Sequence, residues 1–297
     1  MKSFELVAKT IKGENLGRTP VYGWVSANLS NELTAAYGSV ENFEDHYEFD
    51  MSHIFGGPDP FDHEEIKKLR DLGEELTPEA LLQIPLKPVD NMSDYASVVK
   101  ELDHHRKQRD RFCYIQTPGI FECLNGAFGI EDHLCYMALY PDELKEVYAR
   151  QAKWNSKFAE NMVELGIDMV HISDDWGAQR SLLFSLDMWK EMIFPYHKMM
   201  SNAVKAKGAF LSLHSDGYIA PALEGIVDIG FDVVHPWQES ANMSYNLYLE
   251  KYSDKFAILG GLCVQTTLGF GNYTRLEEEI RKVFRLLKGK RWMFCTT

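Results

Sequence analysis

The sequence predicts a parallel α/β fold, a (β/α)8 TIM barrel, in a single domain. Three observations predict it. From residue 112 onward, short apolar runs alternate with amphipathic stretches across short connections. Counted from VYGWVSA (21–27), the runs give about eight strands. A length of 297 residues suits one barrel of this class.

The elements follow in order. Residues 3 to 12 read as an amphipathic helix closed by Gly13. VYGWVSA, aromatic and β-branched, reads as the first strand, and FDMSHIFGG (49–57) as the second, ending on two glycines. The polar segment from Pro58 to Asp110, interrupted by Pro60, Pro78, Pro85 and Pro88, reads as a helical excursion from the barrel. Within it His104 and His105 are neighbours that face apart on a helix, so they read as part of a solvated face. FCYIQT (112–117) is the next strand. A helix from Pro141 carries Leu144, Val147, Tyr148, Phe158, Met162 and Leu165 at helical spacings and stops at Gly166. IDMVHIS (167–173) is a strand leading into DDWGAQ. The helix from about Ser185 contains Pro195, which must kink or split it, and Gly208 closes it.

GAFLSLHSDG (208–217) is the most informative strand. His214 and Asp216 are two residues apart, so on a strand they point to one side and can share a metal ion or a polar ligand. The alternative is a strand-end histidine followed by a turn-forming Asp-Gly. A helix from Pro221 to Gly230, the strand FDVVHP (231–236), a helix near 244–252 and the strand FAILGG (256–261) come next. Thr274 and Glu277 form a capping box for the last helix, which Gly289 ends, and RWMFCTT (291–297) is the final strand. No helix follows it. Its outer face is therefore left to further chain or to a partner, a second copy included.

A barrel places its chemistry at the carboxyl ends of the strands. Those ends supply Gln116 and Thr117, then Asp174, Asp175, Trp176 and Gln179. They continue with His214, Asp216, His235, Gln238 and Glu239, then Cys263, Gln265 and Cys295.

Composition narrows the partners. A formal net charge of −13 argues against nucleic acid, whose phosphates need a basic face. No run approaches 18 apolar residues, so no membrane span is expected. The charged start MKSFELVAKTIKGENLG lacks the apolar core of a signal peptide, so a cytoplasmic location is expected. Five cysteines, an odd number without a CxxC, read as reduced thiols.

Four stretches carry a resemblance: IDMVHISDDWGAQRSLLFSLDMWKEMIFPYH, GAFLSLHSDGYI, GFDVVHPWQ and ILGGLCVQTTLGFG. In order and spacing, over roughly residues 110 to 297, they resemble the uroporphyrinogen decarboxylase superfamily, whose fold is a (β/α)8 barrel. True decarboxylases of that superfamily bind an octacarboxylate porphyrinogen through an Arg-x-x-x-Arg segment after the first strand. Here VYGWVSANLSNELTAAYG contains no arginine or lysine, so the resemblance points to the other branch, similar to cobamide-dependent methyltransferases. That branch implies zinc as cofactor, a corrinoid carried by a partner protein, and a small methyl donor or acceptor. It also implies zinc ligands His214 and Cys295. Asp216 stands where the family has cysteine, and aspartate remains an acceptable ligand. Cys263 is available as a replacement ligand or as a buried structural thiol. The resemblance further implies Asp174 or Asp175 orienting substrate or a ligand histidine, and Gln179, Gln238 and Gln265 bonding corrinoid amides. Tetrapyrrole decarboxylation and a non-catalytic ligand-binding barrel are the alternatives.

Overall fold

The computed structural model describes residues 1–14, 17–71 and 75–296. Its centre is one curled sheet of seven parallel strands in sequential order. They are β1 (Met51–Ile54), β2 (Phe112–Pro118), β3 (Met169–Ser173), β4 (Phe210–His214), β5 (Val233–His235), β6 (Ala257–Leu262) and β7 (Trp292–Thr296). Helices lie on the outer face, among them Pro141–Leu165, Phe194–Ala206 and Tyr273–Leu287. Parallel strands covered on both faces should be apolar throughout. β3 is buried at all five positions and β6 at all six.

The expected first strand does not form. In VYGWVSA only Val21 makes a bridge, parallel to Phe294 of β7, and Ser26 already begins the helix Ser26–Tyr37. Backbone bonds still link this point to both edges of the sheet. Tyr22 N–H donates to the Phe294 carbonyl at 2.9 Å, and Asp50 N–H to the Val21 carbonyl at 2.9 Å. Asp50 is buried and anchors the turn, because its carboxylate accepts from the Val21 amide and from both terminal nitrogens of Arg18. Thr297, the last residue of the expected RWMFCTT strand, lies outside the described residues.

Other expectations hold with local changes. Pro195 splits its helix into Leu186–Met192 and Phe194–Ala206, as a residue without an amide donor should. The last helix starts two residues earlier than its expected capping box. Asn272 is the N-cap, accepting from the Arg275 amide at 3.1 Å. His105 is buried rather than solvated, with Nδ1 3.2 Å from Ser52 Oγ, because Asp103–Gln108 winds as a π segment against β2.

Three buried apolar clusters pack against the sheet, one of them joining Ile54, Cys113 and Ile115 to Trp154, Phe158 and Met162. The largest packs helices onto the sheet's outer face through residues such as Val170, Ile172, Leu211, Leu213 and Val234. The inner one joins Met51, Tyr114, Met169, Val233, Leu259 and Met293 to Val7 and Ile11 of the helix Ser3–Lys12. That helix touches β1, β2, β6 and β7, so it covers the inner core from one end and leaves the other for chemistry. Among the described residues, no helix is long and apolar enough to cross a membrane.

Candidate active site

Four strands each bring a histidine to the inside of the curl: His53 of β1, His171 of β3, His214 of β4 and His235 of β5. Register makes this possible. Ser173 pairs with His214, and His214 with His235, so alternation along each strand turns the rings to one side. His171 Nδ1 lies 2.8 Å from Ser212 Oγ, and the Nδ1 atoms of His214 and His235 are 2.7 Å apart. Trp24 stacks across His214 and His235, with ring centroids 6.1 and 5.8 Å away. Tyr114 stacks on His53 at 4.6 Å.

Burial fixes the charge state of these rings. Desolvation drives His171 and His235 well below the ordinary 6.5, and His53 to about 4, so all three are neutral at physiological pH. Nε2 of His171 and of His235 is buried without a hydrogen-bond partner. An unpaired buried polar atom is costly, and a cluster of them suits a ligand that supplies the missing bond. His171, His214 and His235 can each direct one ring nitrogen so that all three lie within 4.8 Å of one another. Three imidazoles, two of them held neutral by burial, with an open fourth position are a donor set for zinc.

His214 belongs to a second group at the mouth. It combines there with Asp175 and Asp216, again within 4.8 Å. Asp175 Oδ1 is 3.8 Å from His214 Nε2 and accepts the Asp216 amide at 2.7 Å. The pair His214 and Asp216 read from the sequence is thus brought together, but the third expected ligand is not. Among the described residues no candidate metal group includes Cys295 or Cys263. Cys295 packs in the inner core, interacting with Tyr22 and Tyr114, and burial raises its thiol to about 12. Cys263 faces a separate cavity of about 260 Å3, with its sulfur 3.2 Å from Ser240 Oγ.

Beside the histidines lies a cavity of about 570 Å3, walled by the ends of β1, β2 and β3 and by the helix Glu122–Phe128. Gln116, His53, Ser173 and Glu122 supply its polar lining. Glu122 accepts from Ser173 Oγ at 2.9 Å. Burial first, and then the nearby Asp175 carboxylate, raise it from the ordinary 4.5 to about 7.

Asp174 is what holds Glu122 there. It is fully buried, and its two oxygens accept four bonds: from the amides of Ile120, Phe121 and Glu122, and from His197 Nε2 at 2.7 Å. Burial alone would raise its pKa, but these donors outweigh burial and hold it below the ordinary carboxylate value. With its acceptors filled, Asp174 positions a loop and does not face substrate. Asp175, pointing the other way, keeps its place at the mouth.

The remaining sequence candidates divide. Gln116 lines the cavity and His235 belongs to the histidine cluster. Trp176 does neither. It is fully buried in the outer core, 5.3 Å from the Trp189 ring and 5.0 Å from His197. Gln179 lies on an exposed loop. Gln238 is buried and accepts the Gly217 amide at 3.0 Å, with its Nε2 3.4 Å from exposed Gln265, so the two brace the loop after β4. Four residues of the site are absent from the sequence expectation: Trp24, His53, Glu122 and His171. The histidines had a signal, since each sits inside an apolar run at an inward-facing position. Glu122, in a loop placed by a distant aspartate, had none.

No curated protein matches this chain. In fold, the structure is similar to a methyltransferase from Methanosarcina mazei. The TM-score is 0.70 at 15% identity, over 100% of this chain and 92% of that one. A B12-independent methionine synthase from a Shewanella species aligns at a TM-score of 0.44 and 14% identity, over 67% of this chain and 58% of that one; so loose a match carries no argument. The uroporphyrinogen decarboxylase (URO-D) family matches residues 124–295, a span that runs from the cavity helix through β3, β4 and β5 with their histidines to β7. That span is more than half of the chain, and by it the chain belongs to the URO-D family.

Proposed function

We propose that this chain is a zinc-dependent methyltransferase that moves a methyl group between a corrinoid on a partner protein and a small acceptor. The observation that carries the reading is the set of inward histidines, His171, His214 and His235, two of them with a buried ring nitrogen lacking a partner, beside an open cavity. Zinc bound there would supply Lewis-acid activation of a nucleophile at neutral pH. The chain's own groups do the rest. Ser212 orients His171, Asp175 faces His214 at the mouth, and Trp24 covers the cluster. Porphyrinogen decarboxylation is disfavoured because residues 21 to 62 contain no arginine or lysine, and none lines the cavity among the described residues.

Elemental analysis after dialysis against a mild chelator, followed by zinc addition, tests the metal. About one zinc per chain is expected. His171→Ala and His214→Ala should both lose it, whereas Asp216→Ala should keep it. Loss in Asp216→Ala with retention in His171→Ala would move the metal to the mouth group. For the reaction, zinc-loaded protein should demethylate free methylcobalamin, read by its absorbance, when supplied with thiol or amine acceptors. No reaction with any acceptor would leave a ligand-binding barrel as the better reading.

A further inference from the structure

The cavity beside the histidines has a polarity that assigns its ligand. Among the described residues its lining includes one charged side chain, Glu122, and no lysine or arginine. His53, the other titratable nitrogen in the wall, is buried and neutral. Asp175 and Asp174 stand behind Glu122, and both act on its carboxyl. The rest is apolar or neutral: Ile54, Phe55, Ile115, Gln116 and Pro118. Phe55 is 65% exposed at the rim, with its ring 4.0 Å from His53. The cavity is therefore an apolar space with a negative end and an aromatic edge, on a chain of net charge −13.

We propose that this cavity binds a small organic cation, a protonated or quaternary amine, with its nitrogen against the Glu122 carboxylate and its alkyl groups against Ile54, Phe55 and Ile115. An anion would meet the Glu122 carboxylate, with Asp175 behind it, and no lysine or arginine among the described lining residues, and a neutral ligand would leave that carboxylate without a counter-charge beyond its bond from the Ser173 hydroxyl. A cation satisfies the carboxylate, and an aromatic face adds attraction. The raised pKa of Glu122 agrees, since burial first and then the nearby Asp175 carboxylate disfavour its charged form. As the class of methyl donor or acceptor, the cation rests on the function proposed above. As a ligand of the cavity it needs neither metal nor corrinoid.

The test uses isosteres on the whole, unmodified chain. Calorimetric titration at pH 8 compares choline with 3,3-dimethylbutan-1-ol, its uncharged carbon analogue, and with the anion 3,3-dimethylbutanoate. Choline should bind about tenfold or more tightly than the neutral analogue, as one partly buried charge contact provides, and the anion should not bind. Glu122→Gln should bring choline and the alcohol to within about threefold of each other, and Glu122→Asp should retain most of the preference. Equal binding of choline and the alcohol to the unmodified chain would overturn the proposal, as would tighter binding of the anion, no binding of any probe, or an unchanged preference in Glu122→Gln. Chelator-treated protein should give the same choline affinity. Cation binding without methyl transfer would then sink the methyltransferase reading alone, and methyl transfer without cation selectivity would sink this one alone.

Discussion

Asp174 and Asp175 are adjacent in sequence and opposite in role, and the difference comes from where their hydrogen-bond partners lie. Asp174 is buried under three backbone amides and His197, whereas Asp175 reaches His214 and the Asp216 amide. Asp174→Ala leaves those buried donors unpaired and is expected to cost about 3–5 kcal/mol by chemical denaturation. Asp175→Ala should change stability little and act on the mouth group instead. Glu122 makes its own contribution with the opposite sign. An unfolded carboxyl gives up its proton near 4.5, but the folded one keeps it to about 7, so this residue lowers stability as pH rises across that window. Glu122→Gln should remove that slope from a urea-denaturation series run between pH 4.5 and 7. At this scale the sequence was legible where a strand end names its own direction, as at His214, His235 and Gln116. It was illegible where direction depends on a remote backbone: nothing beside Trp176 announces that the outer core takes its ring, and nothing beside Glu122 announces Asp174.

At the scale of elements, the loops after β3 and β4 lie against each other, and two glycines allow it. A Cβ on Gly177 would overlap the Asp216 carbonyl oxygen, and Gly217, at φ 80°, faces the Gly177 backbone in return. This closeness lets the Asp216 amide reach Asp175 and the Tyr218 amide reach the Ala178 carbonyl at 2.8 Å. Gly177→Ala should push the loops apart, and a loss of about 1–3 kcal/mol with an altered mouth but an intact histidine cluster is expected. Zinc uptake equal to wild type alongside lowered stability would bear this out; lost uptake would mean that the mouth group holds the metal. The strands themselves were nearly all readable, because apolar runs between glycines and helices have few alternative readings in a parallel sheet. VYGWVSA was not. Its aromatic and β-branched residues have strand propensity, but only Val21 bonds to the sheet, and Trp24 leaves it to cover the histidines.

Across the whole molecule, the buried histidines link acid sensitivity to the site. His171, His235, His53 and His133 all have pKa values lowered by burial, so the folded chain excludes protons that the unfolded chain accepts from about 6.5 downward. More protons on the unfolded side means that stability falls as pH drops below 6.5, by up to about 1.4 kcal/mol per pH unit for each fully buried ring. Glu122 opposes this between 4.5 and 6.5, so the histidine slope is cleanest in Glu122→Gln. Zinc adds a second dependence. A ligand that binds only the folded chain stabilises it by about 2.7 kcal/mol at a hundredfold excess over Kd, seen as a raised melting temperature. An exposed histidine site would lose that gain as its rings take up protons between pH 7 and 6. Here two of the three rings stay neutral in the folded state well below that range, so the zinc-dependent rise in melting temperature should fall much less between pH 7.5 and pH 6 than it would at an exposed histidine site. His171→Ala should abolish the rise at both pH values without abolishing folding. A rise that collapses by pH 6, or that survives in His171→Ala, would mean that the metal is held at the exposed mouth and not among the buried histidines.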